Sequence, residues 1–131
     1  MFTNRASSLA ALGPVTECHG VQLRAHLRSV AVLVEVTGCL SDANRTLVTD
    51  HVRRFARVGD PLVLDLLETG GVDDEFLRAL GPVADLTLVV DPARRKSPTS
   101  DGTRVVGSVG EAMRIIAGRL NARRALVEQS A

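Results

Sequence analysis

The sequence predicts a single α/β domain with a mixed, mostly parallel sheet, and three observations support this prediction. Short runs of β-branched and aliphatic residues alternate along the chain with stretches whose apolar residues recur every three or four positions. Helices that separate consecutive strands imply that those strands pair in parallel. The chain of 131 residues, 45% hydrophobic and 24% charged, is long enough for one core and has the composition of a globular protein.

The first predicted elements are two strands that pair as a hairpin. Residues 21–27 alternate between apolar and polar side chains, as a half-buried strand does. Residues 30–36 form a β-branched run that is typical of a more buried strand, and Gly38 ends it. Residues 1–18 show no periodicity and are predicted to be a flexible lead-in, which leaves 19–131 for the domain.

Three helices and three further strands follow along the chain. Ser41 or Asp42 can cap the first helix, whose apolar residues recur at helical spacing up to Phe55. Ser108 with Glu111 forms a capping box for the last helix. The elements between them are a strand over residues 62–66, a helix over 73–80, a strand over 86–90 and a strand over 103–106.

Composition argues against several classes of function. A formal net charge of +1 and an aromatic content of 2%, without Trp or Tyr, provide neither the field nor the stacking surfaces that bind nucleic acid. No apolar run approaches the ~20 residues of a membrane helix, and the first residues lack the pattern of a signal peptide. We therefore expect a cytoplasmic protein without membrane insertion, in which Cys18 and Cys39 are reduced thiols.

The sequence contains no motif of a known catalytic chemistry. It has no glycine-rich phosphate loop followed by lysine, no Cys-x-x-Cys and no Gly-x-Ser-x-Gly. His19, His26 and His51 are scattered and are predicted to be surface or edge residues rather than general bases or ligands. We therefore expect neither enzymatic activity nor a cofactor.

The densest group of distinctive residues is acidic. Asp65 and Glu68 come near a predicted strand end, and Asp73, Asp74 and Glu75 follow. Such carboxylates could hold a divalent cation, which prefers oxygen ligands. Alternatively, the first of the later three caps the next helix and the other two occupy its first turn, where the helix dipole favours negative charge. We prefer the second interpretation and predict no metal site.

Four segments together carry a resemblance to a known family. Residues 36–41, Val-Thr-Gly-Cys-Leu-Ser, are similar to a strand end usually written Gly, variable residue, Leu, Asp. Residues 72–77, Val-Asp-Asp-Glu-Phe-Leu, fall without a gap on a motif written Asp-Ser-Ser/Ala-Gly-Leu. Residues 62–66 and 89–92 are similar to later strands of the same family. Over residues 21–120, the order and spacing of these segments resemble the STAS domains of anti-sigma factor antagonists.

The resemblance implies a STAS-like domain over residues 19–131, with helices mainly on one side of the sheet and a protein-binding surface at the start of the second helix. In the antagonists, the anti-sigma factor is itself a kinase that phosphorylates the motif serine, and phosphorylation breaks the complex. Asp74 stands in place of that serine, and Phe76 in place of the motif glycine. The predicted partner-binding residues are Cys39, Ser41, Asp73, Asp74, Glu75 and Phe76.

By this resemblance the chain is a non-catalytic bacterial module of transcription regulation by partner switching. Its expected partner is an anti-sigma factor or a related kinase-like regulator. Asp74 would then keep the surface permanently charged, or it would only support the start of the helix at a site that has lost its switch. The alternative function is a sensor of a small ligand, either a nucleotide or a lipid, or an accessory subunit of a transport machine. A homodimer is compatible with both functions.

Overall fold

The computed structural model describes residues 15–28, 30–57, 61–94 and 103–130 of the chain. The strands are β1 (Val15–Cys18), β2 (Val21–Leu27), β3 (Val32–Cys39), β4 (Leu62–Gly70), β5 (Leu86–Val89) and β6 (Arg104–Val106). The α-helices are α1 (Arg45–Ala56), α2 (Asp74–Ala79) and α3 (Val109–Ser130), and a short 3₁₀ turn covers Pro92–Arg94.

The six strands form one mixed sheet in chain order, from β1 to β6. β1, β2 and β3 are successive antiparallel neighbours, whereas β3, β4, β5 and β6 run parallel. α1 joins β3 to β4, and α2 joins β4 to β5. The predicted α/β class, the β2–β3 hairpin and the parallel pairing across helices are therefore confirmed. We call the side where β3 and β4 end the carboxyl edge of the sheet, and the side where they begin the amino edge.

Residues 15–18 form strand β1, so the prediction that the flexible lead-in extends to residue 18 is wrong for these four residues. β1 pairs with β2 through a turn in which both His19 (φ 46°) and Gly20 (φ 92°) have positive φ. Tight hairpin turns of this kind match the twist of the strands they join. A strand of four residues, of which Cys18 alone is buried, is too short to show a period. The first fourteen residues of the predicted lead-in lie outside the described residues.

One face of the sheet packs against α1 and α2 and carries the main core. Alternate residues of each strand point to this face, because successive side chains of a strand lie on opposite sides. β4 continues beyond residue 66, the predicted end, to Gly70, and the alternation is interrupted at the adjacent exposed residues Leu67 and Glu68, where the register with β3 shifts. The core residues on this face include Val32, Val34 and Val36 of β3, Leu62, Leu64 and Leu66 of β4, Val48 and Val52 of α1, and Phe76 and Leu80 in and next to α2.

The opposite face of the sheet packs against α3 in its parallel half. Ala112 and Ile116 of α3 are buried there. Their partners include Leu33, Val63, Val89 and Val106. The expectation of helices mainly on one side holds for α1 and α2 only, since the longest helix lies on the other face. Arg119 Nη1 donates to Asp85 Oδ1 at 3.1 Å, so α3 reaches the amino edge at this residue.

The first helix begins at Arg45, later than the sequence pattern predicts. Asn44 occupies the N-cap position but makes no side-chain cap hydrogen bond. Ser41 Oγ instead accepts from Ala43 N at 3.3 Å within the preceding turn. The expectation that Ser41 or Asp42 caps this helix is therefore wrong, because residues 42–44 form turns between the strand and the helix.

Candidate functional site

The candidate docking surface lies at the carboxyl edge and consists of Cys39, Ser41, Asp73, Asp74 and Glu75. The sheet topology brings these residues together because β3 and β4 pair in parallel as far as the last residue of each strand. The segments that leave the two strands remain adjacent, since Leu40 N donates to Gly70 O at 2.8 Å. All five side chains are exposed.

Gly71 permits the close approach of these two segments. Its φ is +74°, and a Cβ atom at this position would overlap the carbonyl oxygen of Leu40. Glycine adopts such a φ without penalty and leaves the required space. The chain therefore passes from β4 to α2 within residues 71–73, which fixes the start of α2 beside the end of β3.

Asp73 caps α2, as the sequence predicts. Its backbone is extended (φ −127°, ψ 175°), and its Oδ1 accepts from Phe76 N at 2.9 Å. Asp74 and Glu75 are exposed in the first turn of α2, where backbone N–H groups and the helix dipole favour negative charge. The acidic residues thus stabilise the start of a helix that is only six residues long and has little cooperative stability of its own.

Arg45 links the two sides of the docking surface and was not singled out from the sequence. Its Nη2 lies 3.0 Å from Asp73 Oδ2, and its Nη1 lies 2.9 Å from Asp42 Oδ1 and 3.7 Å from Glu75 Oε2. The hydrogen bond to Asp42 and the carboxylates of Asp73 and Glu75 raise the pKa of Arg45. The sequence did not predict these contacts, because two of the partners of Arg45 lie 28 or more residues away and the third lies in the preceding turn.

Asp74 and Phe76 have opposite environments. Within the described part of the chain, Asp74 makes no hydrogen bond or ion pair, so its carboxylate is directed to solvent. Phe76 is 0% exposed and belongs to the main core. The prediction that Phe76 contacts a partner is therefore wrong for its side chain, because the first turn of α2 directs it under the helix. Asp74, and not Phe76, is therefore the exposed side chain of the two within the motif over residues 72–77.

The hydroxyl and thiol groups near Asp74 differ in accessibility. Ser41 and Cys39 are exposed. Thr69 lies near the end of β4 at the same edge, but it is 2% exposed and its Oγ1 donates to Val36 O at 2.7 Å. Of these two hydroxyl groups, only that of Ser41 is therefore accessible to a kinase. The other thiol, that of Cys18, lies in the core, and its burial together with the charge of Glu17 raises its pKa.

Asn44 holds the docking surface to the rest of the sheet and is a second residue that sequence reasoning missed. It is 1% exposed. Its Nδ2 donates to His19 O at 2.9 Å and to Cys39 O at 3.1 Å, and its Oδ1 accepts from Ser41 N at 2.9 Å. One side chain thus joins the β1–β2 turn, the end of β3 and the turn before α1.

We expect Asp73→Ala to lower the free energy of unfolding by about 1–2 kcal/mol, because both the cap of α2 and the contact with Arg45 are lost. Asp73→Asn keeps an oxygen acceptor for the cap and removes only the charge, so its loss should be smaller. Urea denaturation of both variants at low and high salt measures the two contributions. Equal losses for alanine and asparagine would contradict the capping role.

A second group of polar residues lies on the α3 face of the sheet, near β2, β3 and β4. His26 is 5% exposed and its Nε2 contacts Glu35 Oε1, while its Nδ1 has no partner within the described residues. Glu35 is directly opposite Asp65 in the β3–β4 register. Burial, with the charges of Glu35 and Glu68, raises the pKa of Asp65, although its hydrogen bond from Leu67 N acts in the other direction.

We expect Asp65→Asn to stabilise the protein at neutral pH by roughly 0.2–1 kcal/mol, because the substitution removes a carboxylate that is partly buried and lies opposite Glu35. The pKa of Asp65 in the folded state is raised above its usual value of 3.8, so its ionisation costs stability as the pH rises through the raised pKa. The advantage of the variant should therefore vanish near pH 3, where Asp65 is protonated. Melting temperatures of the wild type and the variant between pH 3 and 7 test this pH dependence. Asp50→Asn, at an exposed position of α1, controls for the loss of one charge.

A pocket of about 250 Å³ lies at the ends of β5 and β6 beside the start of α3. Its lining residues are Val90, Pro92, Val105, Val106, Gly107 and Glu111. Glu111 N donates to Ser108 Oγ at 3.1 Å, which confirms the predicted cap, and Glu111 Oε1 accepts from Gly107 N at 3.3 Å. A carboxylate therefore already occupies this helix start, which disfavours an anionic ligand.

Neither a metal-ligating cluster nor a membrane-spanning helix occurs among the described residues. No group of three or more His, Cys, Asp or Glu side chains in this part of the chain is arranged to hold a metal ion. None of the helices described is both long and apolar enough to cross a membrane.

The fold is an α/β domain with a mixed six-stranded sheet, and the candidate docking surface is an acidic helix start at its carboxyl edge. No protein-family model matches the chain. The chain is similar to the curated protein "Osmosensory protein A" of Mycobacterium tuberculosis (strain ATCC 25618 / H37Rv), with 37% identity over 84 residues. The match covers 56% of this chain and 52% of that protein, so the chain spans about half the length of the relative it matches.

Proposed function

We propose that the chain is a non-catalytic protein-binding module of the STAS type, similar to anti-sigma factor antagonists, that acts in partner switching. The observation that carries this proposal is the exposed carboxylate of Asp74 in the first turn of α2, which makes no hydrogen bond or ion pair with another described residue. It occupies the position of the phosphorylatable serine in the family motif. The proposed partner is an anti-sigma factor or a related kinase-like regulator.

The arrangement around Asp74 supports a fixed rather than a switchable surface. The cap made by Asp73 and the ion pairs of Arg45 hold the start of α2 in place, and Gly71 fixes the turn before it. Asp74 carries one negative charge, whereas a phosphoserine carries about −1.5 to −2 and three acceptor oxygens. We therefore propose that the surface is permanently charged at this point and binds without a phosphorylation cycle at position 74.

The name of the curated relative describes osmosensing and does not mention a partner. A sensory role, as that name states for the relative, and the regulatory role that we propose for this chain are of the same broad kind. The relative's own activity is not assigned to this chain, because the match covers about half of either protein.

The test is direct binding of purified candidate anti-sigma factors from the source organism, measured by calorimetry. Asp74→Arg reverses the charge of an exposed residue and should weaken binding by about tenfold or more. Asp50→Arg, at an exposed position of α1, is the matched control and should leave binding unchanged. Asp74→Ser should restore sensitivity to kinase and ATP, detected as one added phosphate by intact mass.

Binding that is equal for the wild type, Asp74→Arg and Asp50→Arg would contradict the proposed surface. Phosphate on Ser41 of the wild-type protein, with loss of binding, would contradict the fixed state instead. The two parts of the proposal are thus separated by experiment.

The alternative function, a sensor of a small ligand, is favoured by the pocket beside β5 and β6, although the carboxylate of Glu111 in its lining disfavours an anionic ligand such as a nucleotide. Ligands of α/β sheets commonly bind at the carboxyl ends of the parallel strands. A bound nucleotide would raise the melting temperature with its concentration. A melting temperature that stays constant across ATP, GTP and their diphosphates would argue against this function.

A further inference from the structure

The pocket at the ends of β5 and β6 is small and mostly apolar. Its volume of about 250 Å³ lies below the roughly 300–1,000 Å³ of sites for drug-sized ligands, so it suits a ligand of a few non-hydrogen atoms. Its wall consists of three valines and a proline, and Gly107 and Glu111 complete the lining. Ligands of α/β sheets commonly bind at the carboxyl ends of parallel strands, which is the position of this pocket.

The polar groups of the lining offer an unused acceptor, whereas several of the donors are already paired. Val90 N donates to Val106 O at 3.0 Å. Gly107 N donates to Glu111 Oε1 at 3.3 Å, and Glu111 N donates to Ser108 Oγ at 3.1 Å. The other carboxylate oxygen of Glu111, Oε2, makes no hydrogen bond or ion pair within the described residues. A negatively charged acceptor without a partner favours a ligand that brings N–H donors and a positive charge.

The other described charges near the pocket leave the carboxylate of Glu111 available. Asp91 is exposed, and its Oδ1 accepts a backbone hydrogen bond of 2.9 Å within its own turn. Arg114, three residues after Glu111 in α3, is exposed and makes no ion pair with it. Arg104 Nη1 donates to Thr87 Oγ1 at 3.2 Å. The carboxylate in the pocket is therefore not neutralised by an arginine of the described part of the chain.

The lining favours a primary ammonium group over a quaternary one. Quaternary ammonium groups are recognised by aromatic side chains, and none of the described residues that line this pocket is aromatic. Gly107 leaves space beside the carboxylate, because a Cβ atom at this position would lie 3.4 Å from Pro92 Cγ and 4.0 Å from Glu111 Oε1. An ammonium group can thus reach the carboxylate while its aliphatic chain contacts the valines.

We propose that this pocket binds a primary ammonium group on a short aliphatic chain, with Glu111 Oε2 as its acceptor. The group can belong to a free aliphatic amine or to a lysine side chain, which present the same chemistry. A carboxylate or phosphate on the ligand would face Glu111, so amino acids and nucleotides are disfavoured. This site rests on the alternative function, a sensor of a small ligand. The amine titration contains no protein partner, so its failure would not bear on the docking surface.

The probe is n-pentylammonium chloride, titrated into the isotope-labelled full chain and followed by the NMR signals of the backbone amides. We expect saturable shifts at Gly107 and Glu111 with a Kd of about 1 mM, as befits a ligand of so few atoms. n-Pentanol and pentanoate have the same chain without the positive charge and should bind about tenfold or more weakly. Nα-acetyl-lysine methylamide carries the lysine side chain, and tighter binding of this compound than of n-pentylammonium would identify a lysine as the source.

Two variants test the residues that form the site. Glu111→Gln keeps an acceptor for Gly107 N and removes the charge, so it should weaken the binding of n-pentylammonium about tenfold or more. Gly107→Ala places a methyl group between Pro92 and Glu111, and its backbone is not strained because Gly107 has no positive φ. It should narrow the pocket and weaken binding about tenfold. Asp50→Asn, at an exposed position of α1, is the matched control and should bind as the wild type does.

Equal binding of n-pentylammonium by the wild type and Glu111→Gln would overturn the proposal. Binding of n-pentanol as tight as that of n-pentylammonium would keep a small-ligand pocket but overturn its cationic class. The sequence after Pro92 contains Arg94, Arg95 and Lys96, whose side chains lie outside the described part of the structure. Tighter binding of n-pentylammonium by the triple variant Arg94→Ala/Arg95→Ala/Lys96→Ala than by the wild type would show that the chain itself pairs with Glu111, which would also overturn the proposal.

Discussion

Replacement of Phe76 by alanine should lower the free energy of unfolding by about 3–5 kcal/mol, the largest effect we expect from a single truncation in this chain. Phe76 is 0% exposed and lies in the core between α2 and the sheet. Alanine would leave a cavity that a helix of six residues can close only by moving. Guanidinium denaturation of the wild type and the variant measures the change.

Two controls give this result its meaning. Leu126→Ala removes a large apolar side chain that is 63% exposed and should change stability by less than about 0.5 kcal/mol. Phe76→Leu keeps most of the volume and should cost clearly less than alanine. A loss at Phe76 no greater than that at Leu126 would show that position 76 faces a partner, as the family motif suggests, and not the core.

Asn44→Ala should lower the free energy of unfolding by about 3 kcal/mol. Its side chain is 1% exposed and satisfies two carbonyl oxygens, of His19 and Cys39, and the amide of Ser41. Each buried polar group that is left without a partner costs about 1–3 kcal/mol, reduced where water enters. Thermal denaturation followed by circular dichroism measures the loss.

Asn121→Ala, on the exposed end of α3, is the matched control and should be close to neutral. Asn44→Asp keeps the acceptor for Ser41 but places a carboxylate oxygen against the carbonyls of His19 and Cys39. It should therefore also be destabilised at pH 7. A stable Asn44→Asp variant would contradict the hydrogen-bond assignment.

The regular parts of the fold were predictable because their signals are local. The β-branched run over residues 30–36 and the apolar run that begins at Leu62 show buried strands directly, and Ser108 with Glu111 marks the start of α3. β1 was missed because four residues with one buried side chain carry no period. The placement of α3 on the opposite face was missed because residue spacing gives the apolar side of a helix and not the sheet face it covers.

The site was predictable only in part, for a related reason. The cap at Asp73 joins two residues only three positions apart, so its sequence pattern is sufficient. The roles of Arg45 and Asn44 depend on hydrogen bonds that span 28 and 25 positions of the chain, which no local pattern records. Phe76 was assigned by alignment with a motif, and the packing of α2 turns it inward.

The length of β4 has a consequence for solubility. β4 pairs with β5 only from Leu62 to Asp65, and β3 is its paired neighbour along the remaining residues to Gly70. An unpaired strand edge can recruit a strand from another molecule and begin aggregation. Just past the last pair, Leu67 N donates to Asp65 Oδ1 at 3.0 Å, so this amide is not offered to a second chain. The partly buried carboxylate of Asp65 thus costs stability when it is ionised, but it leaves one donor fewer on the open edge of β4, and we expect Asp65→Ala to aggregate at a lower protein concentration than the wild type.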